Sequence, residues 1–382
     1  MKRFFKIFFL FVFLACVSLW VTGYGYIFYG LRATYLRFEK TAQIDDAKFF
    51  YNDTVFASEK PFEWKRSKTY NNYELSDSLN TLLEKFKTSS FVVIKNDGLV
   101  FEKYWPEHLT ENNKSNSFSM AKSILSLIVA CAIDDGYVSS LDMPVKEVFP
   151  NLSFYEKGND VTIGNLLNMT AGLDWKESYY NPFGITARFY YTKDLTDLVL
   201  NFGFNSEPGK KYVYQSGATQ LASLMLDSIL IKNGTSLSEY AGSRFWEKIG
   251  AKENALWSLD RSSGVEKGFC CFHSNALYFA KVGRLFLNNG FYKNNRVVPS
   301  SFFSKIKSPN ISDFYSYGWW ITNVNDYVVY YMRGFKGQYV AIVPDKNIIV
   351  VRLGRKEEKS NVGNNKPPAS FNMFMNEVLT KY

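Results

Sequence analysis

The chain has 382 residues, 45 Lys and Arg against 36 Asp and Glu, and a formal charge of +9, and its 46 % hydrophobic and 18 % aromatic content excludes a disordered or acidic-tail protein. Two histidines and four cysteines, with no C-x-x-C or H-x-x-x-H spacing, leave too few ligands for a conventional zinc centre. A Ser-His-Asp triad would have to use His108 or His273, and no G-x-S-x-G elbow occurs, so any serine chemistry needs a different base. The basic residues are dispersed, with no RNA-module motif or basic-aromatic stripe. The charge therefore does not point to nucleic acid, and contact with an anionic membrane surface accounts for it more economically.

Lys2, Arg3 and Lys6 precede a 25-residue run, 7–31, without Asp, Glu, Lys, Arg or His until a single arginine at 32. About 20 apolar residues suffice to cross a hydrocarbon core, and no A-x-A cleavage site follows. Trp20, Tyr24, Tyr26 and Tyr29 gather at the distal end like an interfacial belt, and the basic proximal end suits the cytoplasm. Residues 1–31 are expected to be an uncleaved anchor in a bacterial inner (cytoplasmic) membrane, with the body on the extracytoplasmic side. The alternative is a signal peptide whose cleavage releases the body to the periplasm. Cys16, Cys131, Cys270 and Cys271 read as buried thiols rather than a disulfide framework.

Residues 32–84 are polar and irregular and read as a stalk that packs onto the domain formed by 85–382. A hairpin follows, with β-rich runs at 91–94 and 99–101 around Asn96-Asp97-Gly98. The far end mirrors it: 339–343 and 348–351 flank Pro344-Asp345-Lys346-Asn347. Between them, helical periodicity is strongest over 121–133, 219–230 and 276–287. The pattern predicts an α+β fold, in which both ends of the chain supply an antiparallel sheet flanked by helices and a largely helical subdomain lies between.

Phe118-Ser119-Met120-Ala121-Lys122 leads into a strongly apolar helical run. Positions i and i+3 share a helix face, so Ser119 and Lys122 lie side by side where first-turn N–H groups favour a developing alkoxide. To serve as a base the lysine must fall about 3 units from its reference near 10.4, which burial among apolar groups can supply. Taken alone, the pair could equally be a helix cap with a solvent-reaching lysine. A second S-x-x-K, Ser304 to Lys307, lies among exposed-looking lysines and is assigned to the surface.

Context adds three segments. One runs from Thr162 through Asn168-Met169-Thr170-Ala171-Gly172 to Trp175, another is Glu207-Pro208-Gly209-Lys210-Lys211-Tyr212-Val213-Tyr214-Gln215-Ser216-Gly217, and Gly334-Phe335-Lys336-Gly337-Gln338 comes near the end. Over roughly residues 85–355 the order of these motifs resembles the serine β-lactamase-like and penicillin-binding superfamily, on its class C, esterase and 6-aminohexanoate-dimer hydrolase branch. S-x-x-K matches Ser119 to Lys122, Y-x-N/S matches Tyr214 to Ser216, and K/H-x-G falls on Phe335-Lys336-Gly337. Four other Y-x-N/S matches occur, beginning at Tyr70, Tyr137, Tyr179 and Tyr292; the Pro-Gly turn before Tyr214 and the helix-forming residues after it select this one.

The resemblance implies Ser119 as nucleophile, with Lys122 and Tyr214 sharing general-base and general-acid work and Ser216 orienting the lysine or the substrate. It implies an oxyanion hole made by the N–H groups of Ser119 and Gln338, with Gly337 allowing close approach of the backbone. Phe335 replaces the cation common at the first position of the third motif, and Lys336, by strand alternation, is expected to face away. Trp175, Tyr179, Tyr180 and Phe183 suggest an apolar wall. The expectation is a membrane-anchored serine hydrolase, without metal or cofactor, that cleaves carboxylic esters or small linear amides through an acyl-enzyme. The alternatives are a peptidoglycan-directed D,D-peptidase or β-lactamase, and a non-catalytic receptor that keeps the fold for ligand binding.

Overall fold

The computed structural model describes residues 1–110, 113–154, 156–358 and 366–382. Helix α1 (Lys2–Val21) is apolar, and none of its residues is buried against the body. Four residues later α2 (Tyr26–Ala33) docks on the body, burying Tyr26, Gly30 and Ala33. The 32–84 segment is woven into the domain: β1 (Asn52–Val55) joins a small second sheet, β2 (Lys65–Arg66) edges the main one, and α3 (Asp77–Lys85) is capped by Ser76.

The first hairpin, β3 (Thr88–Lys95) and β4 (Gly98–Tyr104), pairs Lys95 with Gly98. Its two-residue loop is therefore Asn96-Asp97, with φ of 50° and 60°, and Gly98 is the first residue of β4. Positive φ at both loop positions matches the right-handed twist of the flanking strands. A short β5 (Ser115–Asn116) leads into α4 (Met120–Asp134). Residues 120–132 of α4 are all buried, because Ser123 and Ser126 are the only polar side chains in its run after Lys122 and their hydroxyls donate to backbone carbonyls.

The middle of the chain forms α5 (Ile163–Leu167), α6 (Ile185–Tyr191), α7 (Leu195–Leu200), α8 (Ser216–Lys232) and α9 (Leu237–Tyr240). Then β6 (Ala255–Ser258) and β7 (Phe272–Ser274) complete the second sheet in the order β1-β6-β7-β5. Helix α10 (Ala276–Leu287), the β8–β9 hairpin (Phe291–Tyr292, Asn295–Arg296) and α11 (Ser300–Lys307) follow. The main sheet closes with β10 (Tyr315–Ser316), β11 (Trp319–Val324), β12 (Tyr327–Gly334), β13 (Gln338–Val343) and β14 (Ile348–Gly354), and α12 (Ala369–Lys381) ends the chain.

The main sheet runs β10-β11-β12-β13-β14-β3-β4-β2, antiparallel except for the β2–β4 pair. The join between the chain's two ends is β14 against β3, where Ile349 faces Ile94 and Val351 faces Val92. Every residue of β13 and β14 is buried, as expected of strands covered on both faces. Phe371 and Phe374 of α12 pack on Tyr339 from one side, while α10 crosses the other. At that crossing a Cβ on Gly283 would stand 2.9 Å from Ile349 and 3.2 Å from Val340. Glycine is required there by contact distance. Gly283→Val is expected to destabilise the protein by about 1–3 kcal/mol through overpacking, read as a lower urea midpoint at unchanged slope.

Candidate active site

The start of α4 is held in an unusual backbone conformation. Phe118 has φ +44°, a left-handed value that a non-glycine residue adopts only when its surroundings compel it. Asn116 Oδ1 accepts the Phe118 N–H at 2.8 Å, and the Ser117 N–H donates to Phe272 O at 2.9 Å. Ser119 occupies the N-cap position, yet its hydroxyl makes no capping bond. That hydroxyl faces the cleft and Lys122.

Lys122 is 2 % exposed. Its Nζ lies 3.1 Å from Ser119 Oγ, 3.1 Å from Ser216 Oγ and 2.8 Å from Phe269 O. A carbonyl can only accept. Ser216 donates its own hydroxyl proton to Glu177 Oε1 at 2.7 Å, so toward Lys122 its oxygen also accepts. A neutral amine would spend its two hydrogens on these two acceptors and turn its lone pair to Ser119. Burial lowers the Lys122 pKa from 10.5 to about 8, opposed by the nearby Glu177 carboxylate.

Glu177 was not singled out in the sequence. It also accepts the Ser216 N–H at 2.8 Å and the Trp175 indole N–H at 2.5 Å. Trp175 thus supports the site from behind and does not line the cleft. Its ring lies 2.7 Å from where a Cβ on Gly217 would stand, which is why the second residue of α8 has no side chain.

Tyr214 reaches the cleft one residue before the cap of α8, with its ring against Trp320 and Tyr315 and the Lys122 ammonium 5.2 Å from its centroid. Its hydroxyl interacts with those of Ser119 and Tyr179. Burial, reinforced by Glu177, raises the Tyr214 pKa well above the ordinary phenol range, and Tyr179 is displaced the same way. Both phenols therefore stay protonated at neutral pH. Ser119, Lys122, Tyr214, Ser216 and Tyr179 are brought together, with Phe335 beside Tyr179 at a ring separation of 4.9 Å.

The third motif sits differently from the sequence expectation. β12 ends at Gly334 and β13 begins at Gln338, so residues 335–337 form the turn and strand alternation does not govern Lys336. With φ +65°, Lys336 lines the same cleft as Phe335. Gln338 opposes Gly334 in the ladder, and its side-chain amide bonds both backbone groups of Gly354, outside the cleft. A Cβ on Gly337 would meet Arg352, not substrate. The residue that comes close is Gly334, where a Cβ would lie 2.2 Å from Ser117 O. Among the described residues, neither the Ser119 nor the Phe335 N–H has a protein acceptor. A cation is also present: Arg333 lines the cleft beside Tyr214 and Trp320. An Arg333-Gly334 pair just upstream of Lys336-Gly337 offered two frames for the motif, and only the strand boundary separates them.

The histidine, the second S-x-x-K and the cysteines complete the candidates. His273 is buried between strands, its Nε2 2.8 Å from Ser258 Oγ and its pKa driven by burial down to about 3. The second S-x-x-K stands on α11, where the Ser304 hydroxyl faces Ser300 O. Cys270 and Cys271 are joined as a vicinal disulfide beside Phe269, correcting their reading as thiols; adjacency in the chain already supplied each with a partner. Cys131 is a buried thiol.

A β-lactamase family model matches residues 79–263. A relative, an uncharacterized protein of Alkalihalophilus pseudofirmus, is 23 % identical over 294 residues, covering 69 % of this chain and 82 % of its own. Among solved structures, a protein provisionally described as a 6-aminohexanoate-dimer hydrolase from Bacillus anthracis superposes with a TM-score of 0.73 at 20 % identity, over 91 % of this chain and 93 % of that one. A family VIII carboxylesterase gives 0.61 at 13 % identity, covering 83 % and 99 %. An octameric penicillin-binding protein homologue from Pyrococcus abyssi gives 0.58 at 16 %, covering 80 % and 77 %. At these identities the likenesses establish a shared fold.

Because Glu177 holds the Lys122 pKa up against burial, Glu177→Gln is expected to move the pH midpoint of Ser119 reactivity toward a fluorophosphonate down by about one pH unit. A midpoint that stays or rises would contradict the assigned electrostatics.

Proposed function

We propose, for a chain that belongs to the β-lactamase/transpeptidase-like superfamily, that it is a serine hydrolase cleaving carboxylic esters or small linear amides through an acyl-enzyme, anchored by α1 to a membrane. The observation that carries this reading is the fully buried Lys122 amine, with Ser119 Oγ at 3.1 Å and its other two directions on obligate acceptors. A binding protein has no use for a desolvated lysine beside an uncapped serine.

In the proposed cycle Lys122 takes the Ser119 proton as Oγ attacks the carbonyl carbon. The oxyanion lies toward the Ser119 and Phe335 N–H groups, whose freedom from other acceptors preorganises them. Tyr214, held as a neutral phenol, gives its proton to the departing oxygen or nitrogen as the carbonyl–leaving-group bond breaks and takes up in its place the proton held by Lys122, which returns the amine to its uncharged form. Water then attacks the acyl-enzyme, with the same groups acting in reverse. Neither histidine takes part.

Arg333 favours a second reading. A cation in the cleft suits substrates bearing a carboxylate, so D,D-peptidase or β-lactamase activity stays in contention and the replacement at Phe335 no longer argues against it. Nitrocefin turnover matching or exceeding that of simple esters would select this reading.

With full-length protein and a short chromogenic ester, Ser119→Ala is expected to abolish phosphonate labelling and lower kcat by about 10⁴ or more. Lys122→Ala should cost about 10²–10⁴. Because the base acts uncharged, kcat/KM should rise with pH and level off above about 8. Wild type that neither labels nor turns over any ester or lactam would leave the non-catalytic receptor.

A further inference from the structure

The cleft at Ser119 has two arms of opposite character, which meet at Tyr179, Tyr180 and Phe335. One arm lies between α2 and α6. Ile27 and Leu31 of α2 face Ala187 and Tyr191 of α6 across it, and Phe269-Cys270 adjoins Ser119 and Ser216 at its inner end. Three polar side chains on this path are already committed, while Lys40 also lines it and the buried Tyr191 hydroxyl has no partner among the described residues. Thr34 Oγ1 donates to Gly30 O at 2.6 Å, Thr186 Oγ1 accepts the Ser178 N–H at 2.9 Å, and the Tyr190 hydroxyl donates to Asp46 at 3.1 Å. An occupant therefore meets a surface that asks for few hydrogen bonds and returns contact area.

The outer wall of this arm is fixed to the body. The Tyr26 hydroxyl donates to Pro182 O at 3.1 Å, Lys193 sits 4.3 Å from the Tyr29 ring centroid, and Gly30 lies against the Tyr191 ring. The same wall is the first element after the apolar α1, so the arm adjoins the foot of that helix. The second arm is basic. Lys85, Arg333, Lys336, Arg355 and Lys356 line it against Glu357 and Glu358. Of these, Glu357 is engaged by Tyr339 and by the charge of Arg333, and Arg355 by Asp45 and the His108 and Leu109 carbonyls.

We infer that the substrate is an amphiphile, with a hydrocarbon chain in the apolar arm, the scissile carbonyl at Ser119 and an anionic group in the basic arm. This rests on the hydrolase reading above and deepens it to a substrate class. Apolar burial makes each added methylene worth severalfold in affinity until the arm is filled. The basic arm adds a preference for negative charge on the side of the carbonyl away from the chain.

The test uses full-length protein in phosphatidylcholine vesicles and p-nitrophenyl esters of increasing acyl length. The expected result is a rise in kcat/KM of about tenfold or more from acetyl to octanoyl, with Ala187→Trp or Leu31→Trp, each filling the apolar arm, lowering the octanoyl-to-acetyl ratio. Phosphonate labelling counts the folded sites in each preparation. In the second arm, the octanoyl ester of 4-hydroxyphenylacetate should be cleaved severalfold faster than that of its methyl ester, a preference reduced by Lys336→Ala and Lys356→Ala. Turnover of a long-chain ester held within the vesicles assigns the source to the bilayer, and turnover of dispersed monomer alone assigns it to the aqueous phase; both support an amphiphile. Acetyl turnover with labelling, but no rise with chain length or no preference for the anion, overturns this inference and leaves the hydrolase standing. No labelling and no turnover at any length removes both.

Discussion

The contact between a buried amine and three oxygens sets the terms for the rest of the site. Lys122 Nζ is surrounded by Ser119 Oγ, Ser216 Oγ and Phe269 O, and burial takes its pKa from 10.5 to about 8. That displacement corresponds to about 3 kcal/mol in favour of the uncharged form. Such a group is tolerated only because its polar atoms are satisfied and a carboxylate is near. Glu177 does not touch the amine. It binds Ser216 through both the hydroxyl and the N–H, which compels the Ser216 oxygen to accept, and its field limits how far the lysine pKa falls. Burial, with the same field added to it, raises the pKa values of the two phenols, which divides the labour between an amine that can lose its proton and hydroxyls that keep theirs.

The scaffold supplies this arrangement by closing the sheet with strands from opposite ends of the chain. β14 on β3 makes a sheet rigid enough to carry β12 and the 335–337 turn to the mouth of the cleft, while α4 brings Ser119 and Lys122 up from beneath. Left-handed backbone at Phe118 and at Lys336 lies on either side of the opening, where the chain must turn sharply to present a serine and a backbone N–H. The two arms differ in polarity because different parts of the molecule build them: α2 and α6 for the apolar one, the end of α3, the end of β12 with its following turn and the residues after β14 for the basic one.

Much of this was legible in the sequence where the deciding forces act over a few residues. Apolar periodicity over 121–133 and 276–287, the hairpin around Asn96-Asp97 and the mirrored one at 344–347 are local patterns, and the helices and strands stand where those patterns lie. The Ser119–Lys122 pair is local as well, since one helical turn brings the two side chains together. The third motif stands a few residues from its expected place because two x-x-G frames follow one another directly, and a strand that ends at Gly334 is decided by its pairing with β13 rather than by its own residues.

Composition and short-range spacing were thus enough for the fold class, for an apolar leading helix, and for a hydroxyl beside a lysine with no imidazole in reach. They could not reveal Phe269 O, 147 residues from the lysine it accepts from, or the Glu177 carboxylate that commits Ser216, or Arg333 in the cleft. Nor could they show α2 as the wall of an apolar arm. Each of those neighbours is placed by the packing of distant elements against one buried helix, and the burial that lowers the lysine pKa toward the neutral range, so that its ammonium can give up a proton, exists only once that packing has excluded water.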